Sequence, residues 1–174
     1  ERGEALDFDE SFELSRYVFG PLQKKSPIRV IMNFPLALTP LPEIARRKRR
    51  TGGCGVRGIL GILGTGEIAL CGIGQTIPEL VYGRLGEDSI RDIWLHHPKI
   101  LALRRDLEDL ESFPALCRDC IHVRSCRTGC VAQNYMQSGH LVQTSPICEE
   151  AASRGIFPET RIRSMVHPNG TTDK

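Results

Sequence analysis

Residues 117–130 read CRDCIHVRSCRTGC and hold four of the seven cysteines in the chain. The first two, Cys117 and Cys120, form a C-x2-C pair, in which a tight turn aims both sulfurs at one metal. Cys126 and Cys130 follow at spacings of five and three residues. Thiolates are soft ligands that select zinc or iron–sulfur clusters over hard ions. This density of thiols therefore predicts a metal site that organises a loop-rich segment.

The other three cysteines lie far from this stretch in sequence. Cys54 and Cys71 precede it, and Cys148 follows it. Seven thiols exceed what one tetrahedral zinc can use, so we expect two metal sites. Disulfides are disfavoured because the number of cysteines is odd and the sequence shows no export signal.

Structural zinc is the alternative interpretation of the cysteines. A single zinc would stabilise one loop and would leave Cys54 and Cys71 without a role. Its ligands would be Cys117, Cys120, Cys126 and either Cys130 or His122. We interpret Asp119, inside the C-x2-C turn, as a solvated or capping carboxylate, and four histidines as surface groups. These histidines are His96, His97, His122 and His140.

Composition excludes several classes of function. A length of 174 residues fits one domain, or one domain with the remnant of another. The net charge of +2 gives no reason to expect a nucleic-acid partner, and no apolar run approaches the ~18 residues of a membrane span. The sequence starts at Glu1 without a signal peptide or an initiator methionine, which predicts a cytoplasmic protein and a piece of a longer chain. The basic run at residues 46–50 is expected to be a solvated face, with an acidic peptide as the alternative partner.

The first half of the sequence predicts both helix and strand. A loosely helical spacing of apolar residues covers residues 8–19, and a short strand is predicted at residues 28–32. This combination is consistent with the last piece of an α/β barrel. Beyond it, residues 59–63 and 67–70 predict a β-hairpin whose Gly-Thr-Gly turn reaches positive φ at little cost.

The second half predicts short helices around the cysteines. Asp88 or Ser89 is expected to cap a helix that restarts at Pro98. The apolar face of that helix consists of Ile100, Leu101, Leu103 and Leu107. Further helices are predicted over residues 131–137, ended by Gly139, and over residues 149–154.

The complete cysteine pattern resembles the SPASM motif of radical S-adenosylmethionine enzymes, over about residues 54–158. In this chain the pattern is Cys54-x11-Gly66-x4-Cys71, a gap, Cys117-x2-Cys120-x5-Cys126-x3-Cys130, a second gap and Cys148. Neighbouring residues are also similar to the motif. They are Gly66-Glu67-Ile68, Ile93-Trp94, Leu103-Arg104, Gly129-Cys130 and Asn134-Tyr135.

The resemblance implies two auxiliary iron–sulfur clusters, expected to be of the 4Fe–4S type. The ligands of cluster I would be Cys54, Cys71 and Cys130. The ligands of cluster II would be Cys117, Cys120, Cys126 and Cys148. The pairing therefore interleaves along the chain, and cluster I has three cysteines for four irons.

The resemblance also implies an oxidoreductase that matures a peptide or protein substrate. The domain would serve electron transfer or substrate binding, with a flavodoxin- or ferredoxin-type protein as candidate electron donor. Radical initiation in this family needs a C-x3-C-x2-C loop that binds S-adenosylmethionine. Here Gln133 stands where the third thiolate after Cys126 and Cys130 would be. We therefore expect S-adenosylmethionine to bind an N-terminal barrel outside this sequence, and this chain alone not to start radical chemistry.

These inferences predict an α+β fold: a small loop-rich iron–sulfur domain with a β-hairpin and short helices, preceded by a remnant of an α/β partial barrel. Residues 1–50 would be the barrel remnant and linker, residues 51–160 the auxiliary-cluster domain, and residues 161–174 a flexible tail. The alternative function is a non-catalytic, zinc-stabilised interaction module.

Overall fold

The computed structural model describes residues 6–46, 54–73 and 77–166, which form an α+β domain as predicted. A three-stranded antiparallel sheet in the order β1-β2-β3 is surrounded by short helices. The strands are β1 Gly61–Ile62, β2 Glu67–Ala69 and β3 Val81–Arg84. Among the described residues, the α-helices of four or more residues are α1 Phe8–Tyr17, α2 Leu41–Arg46, α3 Ile90–His96, α4 Pro98–Asp106, α5 Ala115–Arg118, α6 Val123–Cys126, α7 Val131–Ser138, α8 Pro146–Ser153 and α9 Arg163–Val166. A π-helical turn at Val18–Leu22 and a short α-helix at Gln23–Lys25 continue α1. The basic residues 47–50 and residues 167–174 of the predicted tail 161–174 lie outside the described residues, whereas residues 163–166 of that tail form a helix.

The helix predicted near the N-terminus is confirmed, and the strand after it is not. Asp7 and Glu10 form a capping box that starts α1, with both reciprocal hydrogen bonds at 2.9 Å. Residues 28–32 form no strand in the described chain, and the side chains of Ile28 and Ile31 are 72% and 77% exposed. The β-branched pattern at these residues fails to make a strand because no described strand pairs with their backbone.

The predicted hairpin is present, with shorter strands than expected. Gly61 pairs with Ala69 and Ile62 pairs with Ile68. Gly66 ends the turn with φ +83°, a conformation that favours glycine. The sequence did not predict the third strand, β3, which pairs with β2 through a bulge between Ile68 and Ala69.

The helices after the sheet follow the predicted signals with one exception. Ser89 caps α3 by accepting a hydrogen bond from the Asp92 amide at 3.3 Å, and α4 restarts at Pro98. On α4, Ile100 and Leu103 are buried, as is Leu107 just after it, but Leu101 is 38% exposed. Leu101 was wrongly assigned to the apolar face because it lies about 100° around the helix from Ile100.

The hydrophobic core lies between the sheet, α3, α4 and α7. Ile68, Leu80, Leu107, Phe113 and Val131 are almost completely buried there. Four cysteines pack against this core from its edge, namely Cys54, Cys71, Cys117 and Cys130. None of the described helices has the length and apolar character needed to cross a membrane.

Gly61 is the position at which the hairpin approaches the backbone of Cys71 most tightly, and a substitution there tests this contact. A Cβ at Gly61 would lie 2.7 Å from the backbone carbonyl carbon of Cys71, so Gly61→Ala must displace backbone. We expect a loss of about 1–3 kcal/mol in the free energy of unfolding, measured by denaturant titration. Gly64→Ala is the matched control, because nothing lies within 4 Å of its added Cβ. Equal stability of the two variants would contradict the close approach.

Candidate metal centres

Four thiols line one cavity, here called the four-thiol cavity. The four residues are those predicted for cluster II, namely Cys117, Cys120, Cys126 and Cys148. Two lie in short helices, Cys117 within α5 and Cys126 at the end of α6. Cys148 is in the first turn of α8, whose Pro146 occupies an early helical position suited to proline. The remote parts of the sequence therefore converge on the C-x2-C turn.

Cys120 is held in place by the C-terminal segment. It forms an isolated antiparallel bridge with Ile162, and the Ile121 amide donates to the Arg161 carbonyl at 2.9 Å. Asp119 caps helix α9, near the end of the described residues. Its carboxylate accepts hydrogen bonds from the amide and the hydroxyl of Ser164 at 3.2 and 2.7 Å. The capping role expected for Asp119 is confirmed. Hydrogen bonds with residues 161–164 thus help to hold the C-x2-C turn in place.

A left-handed turn separates Cys126 from Cys130. Arg127, Thr128 and Gly129 have φ values of 49°, 65° and 83° in succession. Left-handed backbone costs a non-glycine residue roughly 1–2 kcal/mol, so neighbouring contacts must stabilise this turn. The turn reverses the chain between the two cysteines. Cys126 therefore lines the four-thiol cavity, and Cys130 occupies the N-cap position of α7 outside that cavity.

Asn134 contributes buried hydrogen bonds to that stabilisation. Its side chain is 2% exposed, and Nδ2 donates to the Thr128 carbonyl at 3.2 Å. The same nitrogen donates to the Gln143 carbonyl at 2.9 Å and lies 3.4 Å from the Leu141 carbonyl. One buried amide therefore ties the left-handed turn to the segment that leads into α8 and Cys148.

Cys130 lies beside Cys54, away from the four-thiol cavity. The Cys54 thiol hydrogen-bonds to Cys130, which lowers the pKa of Cys130 and raises that of Cys54. Amides at the start of α7 also approach these sulfurs, with Val131 donating to Cys54 and Ala132 donating to Cys130. We call these two residues the Cys54–Cys130 pair.

Cys71 is the third cysteine predicted for cluster I. It follows β2 directly and packs on the same core as the Cys54–Cys130 pair. Within the described residues, its thiol makes no hydrogen bond to Cys54 or Cys130. Burial, and to a smaller extent the charge of Cys71, raises the pKa of Tyr82 to about 12. The structure thus brings two of the three predicted cluster I ligands into contact.

Burial dominates the electrostatics of the four-thiol cavity. It raises the pKa of the Cys126 thiol to about 12, and it also raises the pKa values of Cys117, Cys120 and Cys148. Each of these thiols also experiences the negative charge of neighbouring thiolates or carboxylates, which raises its pKa further. Nucleophilic and redox-active cysteines have lowered pKa values, so these four are protonated groups that a metal must deprotonate on binding.

Several hydrogen-bond donors point at the cavity sulfurs. The His122 amide donates to the Cys120 sulfur at 3.4 Å, whereas the Cys117 thiol itself donates to the Thr144 hydroxyl oxygen at 3.6 Å. Cys126 receives the amide of Leu36, which comes from the N-terminal segment. Pro35 and Ala37, on either side of Leu36, also line the cavity. N–H donors of this kind stabilise a thiolate and tune the potential of a cluster that it holds.

The donor set fits an iron–sulfur cluster in the four-thiol cavity. Four soft thiols face one space, and Nε2 of His122 is buried there without a hydrogen-bond partner among the described groups. No three His, Cys, Asp or Glu side chains converge on a single-ion site in residues 6–46, 54–73 and 77–166. The four thiols are the soft donors that an iron–sulfur cluster takes.

The histidine assignments were partly wrong. His96 and His140 are exposed as expected, but His97 and His122 are half-buried. His97 stacks on Tyr82 with ring centroids 4.8 Å apart. His122 lines the four-thiol cavity, and burial followed by the charge of Arg161 lowers its pKa. From the sequence, His122 was expected at the surface, or as a zinc ligand in the alternative interpretation, because the residue spacing alone does not show which way its side chain points.

The fold and the thiols together define a small α+β domain with two separate groups of cysteines. About three fifths of the chain is similar to curated proteins named PqqA peptide cyclase. The protein of Ruegeria pomeroyi is 30% identical over 100 residues, which is 58% of this chain and 25% of that protein. That of Methylocella silvestris is 27% identical over 104 residues, 60% of this chain and 27% of that protein.

A third such protein, from Rhizobium meliloti, is 30% identical over 97 residues, 56% of this chain and 24% of that protein. This chain thus spans about a quarter of the length of these curated relatives. No protein-family model and no solved structure matches the chain.

Asn134 should be the most sensitive polar residue around the cysteines. Asn134→Ala leaves the carbonyls of Thr128 and Gln143 without their buried donor, so we expect a loss of about 1–3 kcal/mol in the free energy of unfolding. Gln133→Ala is the matched control, since Gln133 is exposed on the same helix. Denaturant titration checks both variants. A loss for Gln133→Ala as large as that for Asn134→Ala would contradict the role of the buried amide.

Proposed function

We propose that this chain binds two auxiliary iron–sulfur clusters and serves an enzyme that modifies a peptide or protein. The observation that carries the proposal is the division of the thiols. Four of them line the four-thiol cavity, while the Cys54–Cys130 pair lies elsewhere on the core. The resemblance to the SPASM motif implies the same division. It needs Cys126 and Cys130 to face different sites although only three residues separate them.

The arrangement of the thiols supports a cluster over a single zinc ion. Zinc–sulfur bonds of about 2.3 Å would hold four sulfurs within roughly 4 Å of each other. Within residues 6–46, 54–73 and 77–166, no three His, Cys, Asp or Glu side chains converge on one point in this way. A zinc ligand set drawn from residues 117–130 would also leave Cys54 and Cys71 without a role.

The likeness to the cyclases supports a peptide as the substrate. Their name states that they cyclise a peptide, and the similarity covers 56–60% of this chain. In this proposal, S-adenosylmethionine and the start of the radical reaction belong to an N-terminal barrel, and a flavodoxin- or ferredoxin-type protein supplies electrons. This chain would contribute the electron path or the substrate-binding surface.

A bound cluster supplies one-electron transfer, and the residues of the chain determine how it is held. The thiols of the four-thiol cavity would saturate cluster II, leaving it no position for a further ligand. Cys54, Cys71 and Cys130 would leave one iron of cluster I without a cysteine. The Leu36 amide at Cys126 and the Thr144 hydroxyl at Cys117 would stabilise the deprotonated ligands and shield them from water.

Iron and sulfide content tests the proposal directly. Anaerobic reconstitution of the chain should give about eight irons and a similar amount of sulfide per chain, as two 4Fe–4S clusters require. Chemical assay of iron, acid-labile sulfide and zinc on the same preparation provides the measurement. A reproducible content of one zinc with negligible sulfide would support the zinc-stabilised module and overturn the proposal.

Paired cysteine variants test which thiols hold which cluster. Cys130→Ala should damage cluster I and leave cluster II intact, because Cys130 lies beside Cys54 and outside the four-thiol cavity. Cys148→Ala should have the opposite effect. Electron paramagnetic resonance of the reduced proteins separates the two signals. The assignment fails if Cys130→Ala abolishes the same signal as Cys117→Ala.

A further inference from the structure

His122 has a buried nitrogen for which the described protein provides no acceptor. The residue lines the four-thiol cavity, and its own amide donates to the Cys120 sulfur at 3.4 Å. Its Nε2 atom is buried and has no hydrogen-bond partner among the described groups. A buried donor left without an acceptor costs about 1–3 kcal/mol, so this position calls for a group inside the cavity that accepts a hydrogen bond.

We infer that Nε2 of His122 donates a hydrogen bond to a sulfur of the cluster bound in the four-thiol cavity and so raises the reduction potential of that cluster. The inference rests on the proposed function, since it needs cluster II to occupy this cavity. Neither the cysteine pattern nor the likeness to the cyclases assigns any role to His122.

The number of thiols decides between a donor and an iron ligand. A 4Fe–4S cluster has four irons, and four cysteines line the cavity. Each iron would then have a cysteine ligand, so Nε2 of the imidazole would contact a cluster sulfur. A neutral imidazole carries one N–H, and placing it on Nε2 gives the buried nitrogen a partner.

The surroundings of His122 favour the same effect on the potential. Hydrogen bonds to cluster sulfurs and nearby positive charge both stabilise the reduced, more negative cluster. Arg161 is 8% exposed, and its charge acts on both His122 and Cys120. His122 is thus a polar group in a cavity lining that includes apolar residues such as Val123 and Phe157, and the charge of Arg161 acts on it from outside the lining.

Redox titration of the reconstituted chain tests the inference. The background is Cys130→Ala, so that the reduced signal comes from cluster II, with a parallel titration of the chain that retains all its cysteines. His122→Phe removes the donor at similar volume, and His122→Gln retains an N–H donor. The matched control is His96→Phe, at an exposed histidine outside the cavity lining.

We expect His122→Phe to shift the midpoint potential of cluster II to a more negative value. His122→Gln should shift it less, and His96→Phe should leave it unchanged. In protein with ¹⁵N-labelled histidine, the reduced cluster should show a weak nitrogen coupling that His122→Phe abolishes. Iron and sulfide per chain should be the same in all variants.

Two results would overturn the inference while the proposed function stands. One is an unchanged midpoint potential in a fully loaded His122→Phe protein. The other is loss of cluster II in both His122 variants, which would show that His122 holds the cluster and does not merely tune it. If the chain with all its cysteines fails to load iron and sulfide, the proposed function itself fails, and the inference falls with it.

Discussion

The left-handed turn of residues 127–129 is the constraint on which the arrangement of the cysteines depends. Two of its three residues, Arg127 and Thr128, have side chains that disfavour positive φ. Buried hydrogen bonds offset this strain. Asn134 donates to the Thr128 carbonyl, and the Arg127 guanidinium donates to the Leu107 carbonyl at 3.0 Å. If the chain continued as a regular helix after Cys126, Cys130 would follow one turn later on the same face, and the two groups of thiols would merge.

Because the thiols are buried, metal binding and folding are coupled. The pKa values of all four cavity cysteines are raised mainly by burial, so each must lose a proton when a metal binds. The free energy of coordination would then stabilise segments that are distant in sequence. Cys126 receives the amide of Leu36, and Cys120 is bridged to Ile162. A cluster in the four-thiol cavity would therefore connect both ends of the described chain.

Much of the local structure could be predicted from residues that act over one or two turns. The hairpin follows from its glycines, α3 from the Ser89 cap and the end of α7 from Gly139, which has φ +74°. The strand predicted at residues 28–32 failed because a strand needs a partner that a local pattern cannot supply. The third strand was missed for the related reason that its short sequence gains order by pairing with β2.

The candidate site was predictable only as a set of residue types. Cysteine spacing indicated two groups of thiols, but the roles of Asn134, Thr144 and His122 depend on contacts between segments that the sequence does not align. Nothing local in Pro35–Ala37 indicated that this segment would line a cavity with cysteines 80 or more residues away.

The central claim is that the interleaved cysteines hold two separate iron–sulfur clusters. Anomalous diffraction at the iron edge, on crystals of the anaerobically reconstituted chain, measures this most directly. The account predicts two iron peaks, one inside the four-thiol cavity and one beside the Cys54–Cys130 pair. A single peak that Cys126 and Cys130 both ligate, or anomalous signal at the zinc edge alone, would contradict it.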